Sequence, residues 1–393
     1  MKLRLNKTVA VVASSALLLL AVPAVGLASA TSAAAAKPKP TYVIGYEGPL
    51  SGGNLQLGLN VVFAVELAIN QANATGKLPF KLKIARYDDQ GDPTISPTQA
   101  QSAVANKKLI AVVGPMFSGA TAAAEPYFKA AHVATVTPSA TRVTLATSGW
   151  NNFFRAVADD GVQGPADANY LVKTKGLKSV YVVNDGSSYG SALAAAVATA
   201  ATADGATVTT ATVSGTAQCS DGTGSATEYS GAATQAVASH ASALFYGGYY
   251  CDFGLFLGAL SSAGYTGTIM SDDGSDSPAL IQGTTPASAA NNVLLSCACA
   301  ASTNAKFNKA FKNLSNFTES TYSPEAYDAT NVIIAAMKAV KKITRASIVA
   351  ELHKISYKGI TKTLKFQKNG NISGSAIYVS EVKSGKVVQL GLE

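Results

Sequence analysis

The chain has 393 residues, 48% of them hydrophobic and 14% charged, which excludes a disordered polymer and leaves room for two domains with a substantial core. A formal net charge of +8 rests on scattered lysines with no aromatic interleaving; apart from Lys338, Lys341 and Lys342 they form no cluster, which excludes a nucleic-acid footprint.

Lys2, Arg4 and Lys7 precede an apolar run from Val9 to about Leu27 that closes in Ala28-Ser29-Ala30. This is the pattern of a secretory signal peptide over residues 1–30, with cleavage after Ala30 and no cysteine for a lipid anchor. Its removal lowers the charge to +5, with 28 basic against 23 acidic residues. Residues 31–40 read as a disordered Ala/Lys/Pro linker. The protein is therefore expected outside the cytoplasm, in the periplasm or a cell-wall space.

Tyr42 to Tyr46 reads as a strand ending in the glycine-rich turn 47–53, and apolar spacing at Leu59, Val62, Phe63 and Leu67 predicts a helix over 58–72. Phe80 to Tyr87 alternates as a strand. The acidic turn 88–93 follows; its spacing is wrong for a calcium loop, and Ser96-Pro97 reads as the cap and first turn of the next helix. The stretch from Ile110 to Thr141 organises the rest. A strand to Val113 meets Gly114-Pro115, Ser118 stands where a helix cap belongs, and a second strand to Val136 ends in Thr137-Pro138-Ser139-Ala140-Thr141. Two neighbouring strand ends thereby present hydroxyls and free backbone N–H groups at the edge where open α/β sheets bind ligands. This reads as a grip for a carboxylate.

Beyond Arg155, alternating units continue: a helix to Lys175, strand 179–183, helix 191–203, strands 207–213 and 243–246, helix 253–262, strand 268–270, strand 292–297 and helix 327–340. Residues 216–225 read as a Gly/Ser/Thr-rich surface loop. Three short strands close the chain, at 363–366, 376–382 and 386–390. The alternation predicts parallel, doubly wound sheets. Four cysteines, Cys219, Cys251, Cys297 and Cys299, point to disulfides in an exported protein rather than a metal site, since His132, His240 and His353 are isolated. Cys219–Cys251 is the expected first pair, because a bridge within Cys-Ala-Cys would strain the backbone.

The strings GPLSGG (48–53), DDQGDP (88–93), VVGPMFS (112–118), VTPSAT (136–141), FFRAVADDGVQG (153–164), DGSSYG (185–190), FYGGYY (245–250), SDDG (271–274) and AYDA (326–329) occur in this order. Together they resemble the type I periplasmic binding proteins of ABC transporters, in the branched-chain amino-acid receptor group. The resemblance implies an α/β fold of two Rossmann-like, doubly wound lobes with three hinge crossovers, near Ala158, Ala300 and Tyr357. Lobe 1 would comprise 41–157 and 302–355, and lobe 2 would comprise 158–301 and 356–393. It also implies a monomer that closes on a small zwitterionic ligand and docks on permease subunits, with no cofactor and no nucleic acid.

By the same resemblance Ser118 and Thr141, with the backbone N–H groups of Ser139 and Ala140, hold the ligand carboxylate. Asp273 meets the ammonium, Tyr189 and Tyr249 close over the ligand, and Tyr327 lines the pocket. Phe117 faces the ligand, and Leu57 stands where the group often carries an aromatic. Asp273 is one methylene shorter than the glutamate of the leucine/isoleucine/valine receptors. Duller readings stand beside these: helix caps for Ser118 and Thr141, turn chemistry for Asp273, core packing for the tyrosines. A sensor of an amide, urea or aromatic acid is the rival function. Catalysis is disfavoured because no nucleophile–base pairing or Gly-x-Ser-x-Gly elbow is present.

Overall fold

β-Branched and apolar runs interrupted by glycine or proline make the strands, and the longer alanine-rich segments between them make the helices that cover both faces. The computed structural model describes residues 38–213, 226–374 and 376–393; the leader, Cys219 and the 216–225 loop lie outside the described residues. The first sheet has the order β2-β1-β3-β4-β5, all parallel, from β1 (Thr41–Gly48), β2 (Lys81–Asp88), β3 (Leu109–Val113), β4 (Ala134–Thr137) and β5 (Phe153–Arg155). Between them run α1 (Leu55–Ala74), α2 (Ser96–Ala105) and α3 (Ser118–Ala130).

The second sheet begins after α4 (Asp160–Asn169). It contains β6 (Ser179–Asn184), β7 (Thr207–Thr212), β8 (Ala243–Gly247), β9 (Thr268–Ser271) and β10 (Leu294–Cys297), with α5 (Ser188–Ala203), α6 (Ser230–Ala238), α7 (Tyr250–Ala263) and α8 (Pro278–Gly283) among them. The chain then returns to the first sheet. There α10 (Ser323–Ala339) packs on α1, β3 and β4, while α9 (Ala305–Ser315) packs on α1 and α11 (Arg345–Leu352) on β3 and β4. A small hairpin, β11 (Ser356–Lys358) with β12 (Thr363–Lys365), precedes the antiparallel strands β13 (Tyr378–Lys383) and β14 (Lys386–Leu392). These two complete the second sheet in the order β14-β13-β10-β9-β8-β6-β7.

The alternation read from the sequence is present, with four short helices (α6, α8, α9, α11) and two short strands (β5, β11) added to it. The final return comes later than Tyr357. Asp328 on α10 accepts from the N–H groups of Ile360 and Thr361, each at 2.8 Å, and Gly370 O accepts from Arg155 N at 2.9 Å. The segment 356–372 therefore stays with α10 and β5, and the chain joins the second sheet at β13. Residues Lys39–Glu393 form one compact unit.

The expectation for the Cys-Ala-Cys string is corrected. Cys297 and Cys299 are bonded to each other, with Cα atoms 4.9 Å apart, at the end of β10 where the chain leaves the sheet. The short spacing is accommodated because Cys297 is the last residue of β10 and Cys299 already lies in the irregular backbone beyond it. Cys251 is also disulfide-bonded, and Cys219, its expected partner, lies outside the described residues. The Asp276 carboxylate lies within 4.8 Å of the Cys297 and Cys299 sulfurs, but these bond each other and offer no thiolate to a metal.

Candidate functional site

The carboxyl ends of the parallel strands of both sheets face one cleft, and the helices that follow them begin there. On the first-sheet side Ser118 opens α3, but Phe117 is the residue in the cap position and no side chain caps this helix. The Ser118 Oγ instead accepts from Arg142 N at 3.2 Å, which leaves its own proton free to donate. Ser139 donates to Met116 O at 2.8 Å, locking the two strand-end loops together. Ser96, read as a cap, likewise sits inside the first turn of α2 and donates to the buried Glu47 at 2.7 Å.

On the second-sheet side Asp273 follows β9 and is 2% exposed. Tyr189 donates to its Oδ1 at 2.6 Å, and Tyr322, from the turn before α10, donates to its Oδ2. Burial pushes the Asp273 carboxyl up, opposed by the hydrogen bonds from Tyr189, Tyr322 and Gln163. The Tyr322 hydroxyl is raised well above its ordinary value by burial and then by the Asp273 charge. The turn reading for Asp273 thus accounts for its backbone, whose carbonyl accepts from Asp276 N at 3.3 Å, but not for its carboxylate.

Between these walls lies a narrow cavity that admits the centre of a water molecule over only about 10 Å³. Leu57, Met116, Phe117, Ser118, Ser139 and Tyr322 line it from one side, and Tyr189, Tyr249, Asp273 and Gly274 from the other. Seven residues singled out in the sequence therefore converge, and three do not line it. Ala140 is buried behind Ser139, with its N–H given to Thr137 Oγ1 at 3.0 Å rather than left free. Thr141 is fully buried beside Asp160 and makes no hydrogen bond of ordinary geometry through its hydroxyl. Tyr327 is corrected outright: one turn into α10 it points away from the cleft, packs on Phe307 and donates to Gln71 at 2.6 Å.

The pocket tyrosine of this segment is Tyr322. Pro324, in the first turn of α10, marks the helix start and so places Tyr322 at its mouth, a signal present in Tyr-Ser-Pro. Asp160 was also missed as an individual residue. Both its carboxylate oxygens are buried without a hydrogen-bond partner, and burial raises its pKa to about 7. Among the described residues no lysine or arginine lines the cavity. Arg155, the buried cation of this region, is committed to Ala140 O, Arg142 O, Asp159 and Asn371.

The two sides are joined directly. Tyr250 Oη donates to Gly53 O at 2.7 Å and accepts from Gln56 N at 3.2 Å, Arg142 Nη1 donates to Ser188 Oγ at 2.8 Å, and Phe117 stacks on Tyr249.

Residues 41–386 match the family model described as periplasmic binding protein. The chain is 26% identical over 354 residues to a Leu/Ile/Val-binding protein homolog of Brucella melitensis, covering 88% of this chain and 93% of that one. It is 29% identical over 233 residues to an amino acid binding protein of Pseudomonas aeruginosa, a match that spans 59% of this chain and only 60% of that protein. The fold is similar to that of a leucine binding protein, LivK, from Thermotoga maritima, with a TM-score of 0.79 at 24% identity over 89% of this chain and 98% of that one. It is also similar to a solute binding protein from R. palustris in complex with benzoate, with a TM-score of 0.76 at 19% identity over 90% and 96% of the two chains. These are substrate-binding proteins and not enzymes. A two-lobed cleft built at the carboxyl ends of parallel strands, together with a family match across nearly the whole described chain, establishes that this chain belongs to the periplasmic binding protein family, with the type I fold.

Proposed function

We propose that this protein captures a small amino acid, branched-chain or related, between its lobes outside the cytoplasm. It then hands the ligand, as a monomer, to the permease subunits of an ABC importer. The observation that carries the reading is Asp273, a buried carboxylate held by two tyrosine hydroxyls and facing a cavity lined by no cation among the described residues. A ligand ammonium is the partner this wall lacks, and the Ser118 hydroxyl across the cavity, whose proton is uncommitted, suits the carboxylate of the same ligand.

The same charge pattern counts against an aromatic acid without an amine, which would bring a second anion to an anionic wall. The names of the relatives, amino acid and Leu/Ile/Val-binding proteins, point the same way. Export by the 1–30 leader agrees with the disulfide at Cys297–Cys299, a bond that persists in oxidising compartments. Lobe 1 is taken as 41–157 with 302–355 and lobe 2 as 158–301 with the C-terminal strands. The segment 356–372 rides with lobe 1.

A thermal-shift panel tests the proposal, since a ligand that binds only the folded state raises Tm by mass action. At least one aliphatic or small polar amino acid is expected to raise Tm, and Asp273→Ala is expected to abolish that shift at a cost of roughly 2–5 kcal/mol in binding. A panel in which only amine-free carboxylates respond rejects the amino-acid reading.

A further inference from the structure

Phe117 lines the same cavity as Ser118 and Asp273, beside the one and across from the other. Its ring lies face to face with that of Tyr249 on the opposite lobe, centroids 4.2 Å apart and planes 21° from parallel. Tyr249 in turn backs onto Tyr189 at 5.3 Å, so it has little freedom to withdraw. Behind Phe117 lies Gly91, in a left-handed conformation (φ +77°), where an added Cβ would stand 2.5 Å from the ring. The acidic turn that carries Gly91 is itself tied down, with Asp88 accepting from Leu50 N at 2.8 Å and Asp89 from Gly91 N at 2.8 Å. The Phe117 ring is therefore held between Tyr249 against one face and Gly91 at its Cδ2–Cε2 edge, and it cannot move toward Gly91 without moving that turn.

Nor can the lobes part slightly to make room. The Tyr250–Gly53 and Arg142–Ser188 hydrogen bonds close the cleft on either side of the stack. Any widening that slid a ring or a branched chain between Phe117 and Tyr249 would break them. With both poles for a zwitterion lining so small a cavity, the residue that takes up the missing volume is Phe117.

We propose that Phe117 sets the size of the ligand: the closed site accepts amino acids with a side chain of one or two heavy atoms, such as alanine or serine, and discriminates against branched and aromatic ones. The proposal rests on the amino-acid reading above and narrows it. Asp273 and Ser118 supply affinity for the common backbone of every amino acid, and the Phe117–Tyr249 stack selects among side chains.

Isothermal titration of the mature protein with glycine, alanine, serine, valine, leucine and phenylalanine tests it, in the wild type and in Phe117→Ala. The wild type is expected to bind alanine or serine at least tenfold more tightly than leucine. Phe117→Ala is expected to reverse that order while changing glycine affinity least. Phe117→Leu, a milder change, serves if the alanine variant does not fold, and is expected to move valine toward alanine. A wild type that prefers leucine, valine or phenylalanine overturns the proposal, as does an unchanged order in a folded variant. Either result leaves the amino-acid reading standing. Failure of every amino acid to bind, with Asp273→Ala indistinguishable from wild type toward whatever does bind, removes that reading and this one with it.

Discussion

A carboxylate taken out of water needs donors or it takes up a proton, and Asp273 has two phenol donors from opposite sides of the cleft. Tyr189 comes from the same lobe and Tyr322 from the other, so the second hydroxyl both steadies the charge and links the lobes. Its removal is expected to matter more for binding than for folding, because the ring remains to pack. Tyr322→Phe should weaken ligand binding by about 1.5–3 kcal/mol, the range for a hydrogen bond to a charged group, with little change in the Tm of the unliganded protein. Titration calorimetry beside a melting curve checks this. A variant with unchanged affinity would show that the ligand replaces the Tyr322 bond rather than shares it.

At the scale of the elements, the strand-end loops are rigid because one buried cation gathers them. Arg155, at the end of β5, donates to Ala140 O at 3.1 Å and Arg142 O at 2.9 Å, and its other nitrogen reaches Asp159 at 3.1 Å and Asn371. It thus ties the 137–142 loop to the start of α4 and to the 366–372 turn, three segments that meet at the end of β5. Its guanidinium pKa is lowered by burial and restored in part by Asp159 and Asp160. Arg155→Met keeps the packing volume and removes the donors. The expected cost is about 3–5 kcal/mol of stability, the range for breaking a buried pair and leaving its partners unpaired. Denaturant unfolding measures it, and a loss below 1 kcal/mol would assign these loops a different support. Gly114 contributes at the same edge: with φ at +114° and Glu47 O only 2.3 Å from where a Cβ would be, the turn after β3 accepts no side chain.

Over the molecule, among the described residues, the buried acids outnumber the buried cations. Burial raises Glu125, Asp89, Asp160 and Glu325 each to about 7, and Glu125 stays there despite bonds from Thr135 and from Asn152 at 2.8 Å. A carboxyl whose folded pKa exceeds its unfolded value binds more protons in the native state. Its contribution is full below the unfolded pKa and is lost as pH rises through about 7. The unliganded protein is therefore expected to melt higher at pH 5 than at pH 8. Glu125→Gln should flatten part of that slope, by up to ~3 kcal/mol for a shift of this size. Melting curves across this range decide it, and a Tm that rises with pH would contradict the assignment.

Much of this was legible in the sequence because it depends on short-range order. Strand and helix alternation follows from runs of Val and Ile punctuated by Gly and Pro, and Ser118, Asp273, Tyr189 and Tyr249 each stand in the loop after a strand or the first turn of the helix beyond it, where this architecture puts ligands. Tyr327 against Tyr322 was a different kind of question: both tyrosines flank one helix start, and only the packing of α10 on α1 decides which of them faces the cleft. The same holds for Thr141, whose hydroxyl is turned toward Asp160, and for the Ser139 and Ala140 amides, which Thr137 engages from within its own loop. Sequence by itself determined the elements, their order and the chemistry available at each strand end, since local propensity and hydrophobic period are properties of neighbouring residues. Tertiary structure alone decided which side chains share one cavity, how little room Phe117 leaves in it and which buried acids lack a partner, because those depend on distances between residues far apart in the chain.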